Sequence, residues 1–267
     1  MPRVSFYFSA HEDDWQLFMN PAAFDDVLSG SKVVFVHVTA GDAGLGTGTG
    51  GRKTPYYLAR EHGAQSAIHF MADADDRAPL DEGASPAIVN GHPLRRLGYR
   101  NTVAYFLRLP DGSPEGQGYA ETGFQSLERL NEEELGALEA IDGTTTYRGW
   151  HDLVATLRSL IDVERAQAPI DLHVPELDPA INPNDHPDHV MTAKLALEAA
   201  AHLKDARRFH HPGYNCGALP ENLAGRERDM KCAVYAVTLA GIMASGHPTS
   251  WRHYDESFVG RNYCRVG

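Results

Sequence analysis

The chain has 267 residues, of which 42% are hydrophobic and 22% charged, a composition typical of a globular protein and not of a disordered or fibrous one. A formal net charge of −12, with no Lys/Arg cluster, disfavours nucleic acid and anionic membranes as partners. Three cysteines without CxxC spacing predict neither a disulfide framework nor a thiolate zinc site, which fits a reducing cytoplasm.

The length predicts a single domain over residues 1–267. A strand-like run begins at Val4 without a charged and apolar leader before it, so we expect a cytoplasmic protein. The longest weakly polar stretch, 233–244, is shorter than the roughly 20 residues that a membrane-spanning helix requires, and it predicts a buried helix. The oligomeric state stays open, and a homo-oligomer is one of the alternatives.

The first third of the chain alternates between predicted strands and helices. Runs of β-branched and aromatic residues predict strands over 3–9 and 32–39, and the apolar spacing between them predicts a helix over 14–30. A second helix is predicted over 55–74, with Pro55 near its first turn, where a missing N–H costs nothing. This alternation is typical of a parallel sheet with crossover helices.

The middle of the chain is less regular, and the alternation resumes after it. Asn90 and Gly91 form a turn signal within 87–97, a strand is predicted over 101–109, and together they indicate a hairpin. The remaining pattern predicts helices over 127–141, 150–167, 187–204 and 221–244, and strands over 170–174 and 207–211. The predicted fold class is therefore α/β.

Potential metal ligands follow two of the predicted strands, where the working groups of open α/β sheets collect. His11 and Asp14 follow the first strand, and a loop that leads to His186 and His189 follows the strand at 170–174. Pro187 favours a helix start, which turns both of these later imidazoles toward one side. Imidazoles and a carboxylate suit a divalent ion with an open coordination position, for which zinc is the first hypothesis and another divalent metal the alternative.

Three further side chains would lie beside this metal without binding it. Asp13 would take a proton from the metal-activated water that attacks an amide carbonyl. His186 would protonate the leaving amine, and Asp188 would orient or charge-stabilise that imidazole. The alternative for Asp188 is that it only places a favourable negative charge at a helix start. The alternative for His11, taken by itself, is a helix cap or an ordinary hydrogen-bonded polar residue. The two motifs together favour the metal site.

The two segments resemble motifs of the LmbE-like, or PIG-L, zinc deacetylases. That family has Ala-His-Pro-Asp-Asp-Glu after its first strand and a later His-Pro-Asp-His, in whose places this chain has residues 10–15 and 186–189. The resemblance extends to residues 39–44, 58–61 and 109–112.

The resemblance implies a Rossmann-like three-layer fold with a mostly parallel sheet, and zinc at His11, Asp14 and His189. It also implies that Asp13 is the general base. The expected reaction is removal of an N-acyl group, acetyl being the first hypothesis, from a small amino-sugar substrate.

Two predicted substrate contacts and three departures from the family concern the pocket wall. Arg60 would bind a sugar hydroxyl or a phosphate, with a purely structural role as the alternative. Asp111 is the second predicted contact, and the alternative is that it only forms the turn of its Pro-Asp-Gly sequence. Glu12 replaces the usual Pro, Trp15 replaces the usual Glu, and Asn184 stands where some members carry a tyrosine thought to assist the oxyanion.

Other functions stay open from the sequence. The same groups would serve a metalloamidase that cleaves a non-sugar amide. Residues 46–51 fit a GxGxxG pattern, as in nucleotide-binding Rossmann proteins, but their place well past the strand end favours a loop at the pocket rim. If Trp15 and Asn184 abolish turnover, the remaining alternative is a binding protein without catalytic activity. Irregular spacing disfavours a second metal cluster at the remaining candidates, His210, His211 and Cys216.

Overall fold

A computed structural model describes residues 3–75, 78–80 and 82–267. The strands are β1 (Val4–Ser9), β2 (Val33–Thr39), β3 (Glu82–Val89), β4 (His92–Tyr99), β5 (Thr102–Leu109), β6 (Leu138–Glu139), β7 (Thr146–Tyr147), β8 (Ile170–Pro175), β9 (Arg207–His211) and β10 (Arg265–Val266). The helices are α1 (Asp14–Phe18), α2 (Ala22–Leu28), α3 (Tyr56–Ala72), α4 (Leu127–Asn131), α5 (Gly149–Arg165), α6 (Pro187–Ala199), α7 (Gly225–Ala244) and α8 (Trp251–Tyr254).

One eight-stranded sheet organises the described residues, in the order β10-β9-β8-β1-β2-β5-β4-β3. The strands from β9 through β8, β1 and β2 to β5 are parallel, whereas β10 at one edge and the β3–β4 hairpin at the other are antiparallel. β6 and β7 form a separate small ribbon. The predicted α/β fold with a mostly parallel sheet is confirmed.

Helices cover both faces of this sheet and give it three layers. On β1, Phe6 and Phe8 pack into the hydrophobic core beneath α5 and α6, and Tyr7 between them packs into the core beneath α2, α3 and α7. All six residues of β1 are buried, as expected for a central parallel strand that is covered on both sides. No helix in the described part of the chain combines the length and apolarity needed to cross a bilayer.

Two predicted helices differ from the structure. The helix predicted over 14–30 is divided into α1 and α2, because Pro21 lacks the N–H that a continuous helix needs and Asn20 instead accepts a hydrogen bond from the Phe24 N–H. The helix predicted over 127–141 ends at Asn131, and its later residues form turns and β6. The short edge strand β10 was not predicted.

The other predicted elements are present with ends shifted by a few residues. Asn90 and Gly91 form the turn between β3 and β4, so the hairpin is confirmed. The closing helix is confirmed as α7, which packs along α3. The two helices approach closely at glycines, since a Cβ built at Gly63 would lie 2.6 Å from the Thr238 carbonyl oxygen.

Packing of α3 against the core gives a prediction about stability. Met71 on α3 is fully buried, and we expect Met71→Ala to lower the free energy of unfolding by about 2–5 kcal/mol, since it leaves a cavity in the core. The matched change Met243→Ala on α7, where the side chain is 61% exposed, should change it by less than about 0.5 kcal/mol. Urea unfolding measures both, and equal losses would contradict the described packing.

Candidate metal centre

The candidate site lies at the carboxyl ends of neighbouring strands. His11 and Asp14 follow β1, and His186 and His189 lie at the start of α6, which follows β8 in the chain. α6 begins at Pro187, and the His186 Nδ1 accepts a hydrogen bond from the Asp188 N–H at 3.2 Å. Because β1 and β8 pair directly, the two motifs meet.

His11, Asp14 and His189 form a buried cluster whose candidate ligand atoms all lie within 4.8 Å of one another. Asp14 Oδ1 lies 3.6 Å from the His11 Nδ1 and 3.3 Å from the His189 Nε2. Asp14 Oδ2 accepts the backbone N–H of His11 at 2.7 Å, which fixes the carboxylate with its other oxygen toward both rings. The structure therefore brings the three predicted ligands together.

The His189 ring is oriented by a carboxylate that sequence reasoning missed. Its Nδ1 lies 2.9 Å from Asp185 Oδ2, whereas its buried Nε2 has no hydrogen-bond partner among the described residues. A carboxylate at Nδ1 favours the tautomer that leaves a lone pair on Nε2. A buried acceptor without a partner is costly, and a cation would satisfy it. Two imidazoles and one carboxylate fit zinc or another divalent ion.

The carboxylates of this cluster stabilise positive charge at the imidazoles. Burial lowers the pKa of His189, but Asp14 and Asp185 outweigh it and raise that pKa to about 10. Burial likewise opposes ionisation of Asp14, but His189 and His11 outweigh it and hold the Asp14 pKa well below its usual value. Because metal ligation needs neutral imidazoles, metal and protons compete for this site.

A second acidic group borders the other side of the His11 ring. His11 Nε2 lies 3.4 Å from Asp188 Oδ2 and 4.0 Å from Asp111 Oδ2. Asp188 Oδ2 accepts the Gly112 N–H at 2.8 Å and lies 3.9 Å from the His186 Nδ1. The predicted residues Asp188 and His186 thus lie together beside His11.

The predicted substrate contacts take part in the framework of the site. Arg60 is ion-paired with Asp13 and is 9% exposed. Asp111 accepts the N–H groups of Ser113 and Ala43, at 3.0 Å and 3.2 Å, and so ties the turn after β5 to the loop after β2. Both residues also reach the wall of a cavity.

This cavity has a volume of about 410 Å³, within the range of sites for small molecules. Besides Arg60 and Asp111, its charged and ionisable lining includes three more of the predicted residues, His11, Asp13 and His186. Asn184 also lines it, where some LmbE-like proteins carry a tyrosine. Four tyrosines complete much of the wall: Tyr56, Tyr119, Tyr214 and Tyr254.

The missed residues differ in how they could have been found. Asp185 lies four residues before His189, a spacing that places both side chains on one side of a helix start. The tyrosines come from distant segments, and no local pattern marks them. Residues 47–51 are exposed, Gly46 is buried, and the loop around them borders Tyr56 at the rim. Among the described residues, two groups of side chains could hold a metal ion, one of His11, Asp14 and His189 and one of His11, Asp111, His186 and Asp188. The remaining candidates belong to neither group: His210, His211 and Cys216.

Comparison with known proteins supports the fold. No family model and no curated protein sequence matches the chain. Among solved structures, N,N'-diacetylchitobiose deacetylase from Pyrococcus horikoshii matches with a TM-score of 0.53 and 14% identity, over 99% of this chain and 84% of that one. The A40926 pseudoaglycone deacetylase Dbv21 matches with a TM-score of 0.48 and 18% identity, over 96% and 86%. At 14% identity the match to the diacetylchitobiose deacetylase shows a shared fold. The Dbv21 match, with its lower TM-score, adds nothing to that conclusion.

The Asp185 contact gives a prediction on metal affinity. We expect Asp185→Asn to weaken zinc binding about 10- to 100-fold, because the His189 Nδ1–H loses its charged acceptor. The control is Asp178→Asn in the same loop, where the carboxylate only accepts the Ala180 N–H at 2.9 Å. Competition with a chromophoric chelator measures both affinities, and equal values for the two variants would refute the role of Asp185.

Proposed function

We propose that this protein is a metal-dependent hydrolase that removes an N-acyl group, acetyl being the first hypothesis, from a small amino-sugar conjugate or glycosylated metabolite. The observation that carries the proposal is the buried cluster of His11, Asp14 and His189, beside a pocket lined by Asp13 and His186. In this cluster the His189 Nε2 has no hydrogen-bond partner among the described residues. The fold shared with a diacetylchitobiose deacetylase supports the same class of reaction.

In this proposal His11, Asp14 and His189 hold zinc or another divalent ion. When bound, that ion acidifies a water molecule and polarises the amide carbonyl. Asp13 takes the proton of the attacking water. Its Oδ1 is paired with Arg60, and its Oδ2 makes no hydrogen bond within the described residues, so one oxygen is held while the other is free to accept a proton.

His186 delivers a proton to the leaving amine. Burial first, and then the charge of His11, lower the pKa of His186 to about 4 in the metal-free protein. Its imidazole is therefore neutral near pH 7. In this proposal it first accepts the proton that Asp13 takes from the water, since both side chains line the same cavity, and then gives that proton to the amine. Asp188, 3.9 Å from the His186 Nδ1, stabilises the imidazolium while it exists.

The pocket wall selects the substrate. Arg60 and Asp111 supply polar contacts, and the tyrosines Tyr56, Tyr119, Tyr214 and Tyr254 supply ring faces on which a sugar can stack. A cavity of about 410 Å³ suits a small molecule.

Substrate profiling tests the proposed class. We expect the metal-loaded protein to release acetate from N-acetylglucosamine glycosides and to leave N-acetylated amino acids and simple aryl acetamides intact. Hydrolysis of the non-sugar amides alone would instead favour a metalloamidase with the same catalytic groups. The Asp13→Asn variant is the control, because acetate that it still releases does not depend on the proposed base.

A further inference from the structure

Glu12 is a buried carboxylate beside the candidate metal centre, at a position where the LmbE-like motif has proline. It lies between His11 and Asp13 in the chain and is 1% exposed. Glu12 Oε2 lies 3.1 Å from the Arg60 Nε, a contact at ion-pair distance, and it makes no hydrogen bond within the described residues. A buried carboxylate needs such a partner, because desolvation of an unpaired charge is costly.

The Arg60 guanidinium joins three segments of the chain. Its Nε faces Glu12, its Nη1 donates to the Gly41 carbonyl oxygen at 3.0 Å, and its Nη2 donates to Asp13 Oδ1. The group is planar and its donors have a fixed arrangement, so the position of one contact constrains the others. The orientation of Asp13 is therefore coupled to the contact between Glu12 and Arg60.

Gly41 provides the space for this arrangement. Its φ of +49° lies in the left-handed region, and a Cβ built there would lie 2.7 Å from Glu12 Oε2 and 2.8 Å from Arg60 Nη1. The backbone of the loop after β2 thus packs directly on the pair.

We propose that Glu12 is a positioning residue, which holds Arg60 so that Arg60 holds Asp13 in the orientation needed to take a proton. The inference rests on the proposed function, since that orientation matters for turnover only if Asp13 is the base. Removing the Glu12 charge leaves the Arg60 Nε without its partner, and the guanidinium is then free to turn away from Asp13.

The first test separates catalysis from binding and from stability. We expect Glu12→Gln to lower kcat about 10- to 100-fold, with KM and metal content near those of the wild type, because misplacing a reacting group has effects of this size. The control is Glu164→Gln, since Glu164 is also buried and also pairs with an arginine, Arg96, at 3.4 Å. That variant should lose stability without loss of kcat. A wild-type kcat in Glu12→Gln would overturn the inference.

A double-mutant cycle tests whether Glu12 acts through Arg60. Arg60→Lys keeps a charge but cannot contact Glu12, Gly41 and Asp13 together. We expect the Glu12→Gln change to add little to the kcat loss of Arg60→Lys, because both remove the same support. Full additivity of the two losses would overturn the inference. If Glu12→Gln does not fold, Glu12→Asp takes its place in the cycle.

A readout without substrate distinguishes failure of this inference from failure of the proposed function. In metal-free protein, NMR measures exchange of the ¹⁵N-labelled Arg60 Nε–H with water, with the signal assigned by its loss in Arg60→Lys. We expect slow exchange in the wild type and lost protection in Glu12→Gln. Equal exchange rates would overturn the role of Glu12. Lost protection in Glu12→Gln, together with a wild-type protein that releases no acetate, would refute the function alone.

Discussion

We expect His189→Ala to bind no zinc under conditions in which the wild-type protein holds about one ion per chain, as a three-ligand site requires. The His189 Nε2 is buried, makes no hydrogen bond within the described residues and lies 3.3 Å from Asp14 Oδ1, and alanine offers no atom to replace it. Two ligands then remain, and hydrolysis should fall to background. Metal analysis of the purified variants measures this directly.

The control for that variant is another buried histidine. His211 at the end of β9 is 1% exposed, and its Nε2 lies 3.0 Å from the His173 Nδ1, outside the metal-ligand groups of the described residues. His211→Ala should keep its zinc, although its stability will fall. A His189→Ala protein with a full complement of zinc would contradict the assignment of the site.

The second large effect concerns the base. We expect Asp13→Asn to lower kcat about 10²- to 10⁴-fold while zinc stays bound, because the amide keeps the size of the side chain but cannot accept a proton. Asp142→Asn is the matched control, since Asp142 is also paired with an arginine, Arg108, and its side chain has similar exposure, 12% against 15% for Asp13. Steady-state kinetics and metal analysis measure both.

The two outcomes that would contradict this assignment are distinct. A wild-type kcat in Asp13→Asn would exclude Asp13 as the base. Loss of zinc from Asp13→Asn would show that Asp13 supports the metal instead, and would move the role of base to another carboxylate.

Local patterns were sufficient to predict the central strands and both motifs. The β-branched runs before His11 and before the loop to His189 read as strands because parallel strands buried on both faces are continuously apolar. The strand order could not be read from the sequence, because pairing of β1 with β8 depends on contacts across more than half of the chain. From the sequence alone, the convergence of the two motifs was therefore a hypothesis.

The two incorrect helices show where apolar spacing misleads. Phe18 and Phe24 continue a helical pattern across Pro21, yet the proline prevents a continuous helix. Leu138 is fully buried, like the helical residues Leu127 and Leu130, but it lies in the short strand β6. Burial alone thus does not establish helical structure.

The environment of the site was less predictable than its ligands. Pairing of Arg60 with Asp13 and Glu12 joins α3 to the loop after β1, and the tyrosine wall draws on residues from Tyr56 to Tyr254. Such contacts depend on the tertiary fold, which no spacing rule supplies. Asp185 is the exception, since its helical spacing from His189 was visible in the sequence.

The proposed function requires that a metal bound by His11, Asp14 and His189 supports hydrolysis of an N-acetyl group. The most direct measurement is acetate release from an N-acetylglucosamine glycoside by the purified wild-type protein, before and after a chelator and again after zinc is restored. We expect release that stops with the chelator and returns with zinc. Release that continues unchanged in protein shown to be metal-free would contradict a metal-dependent function.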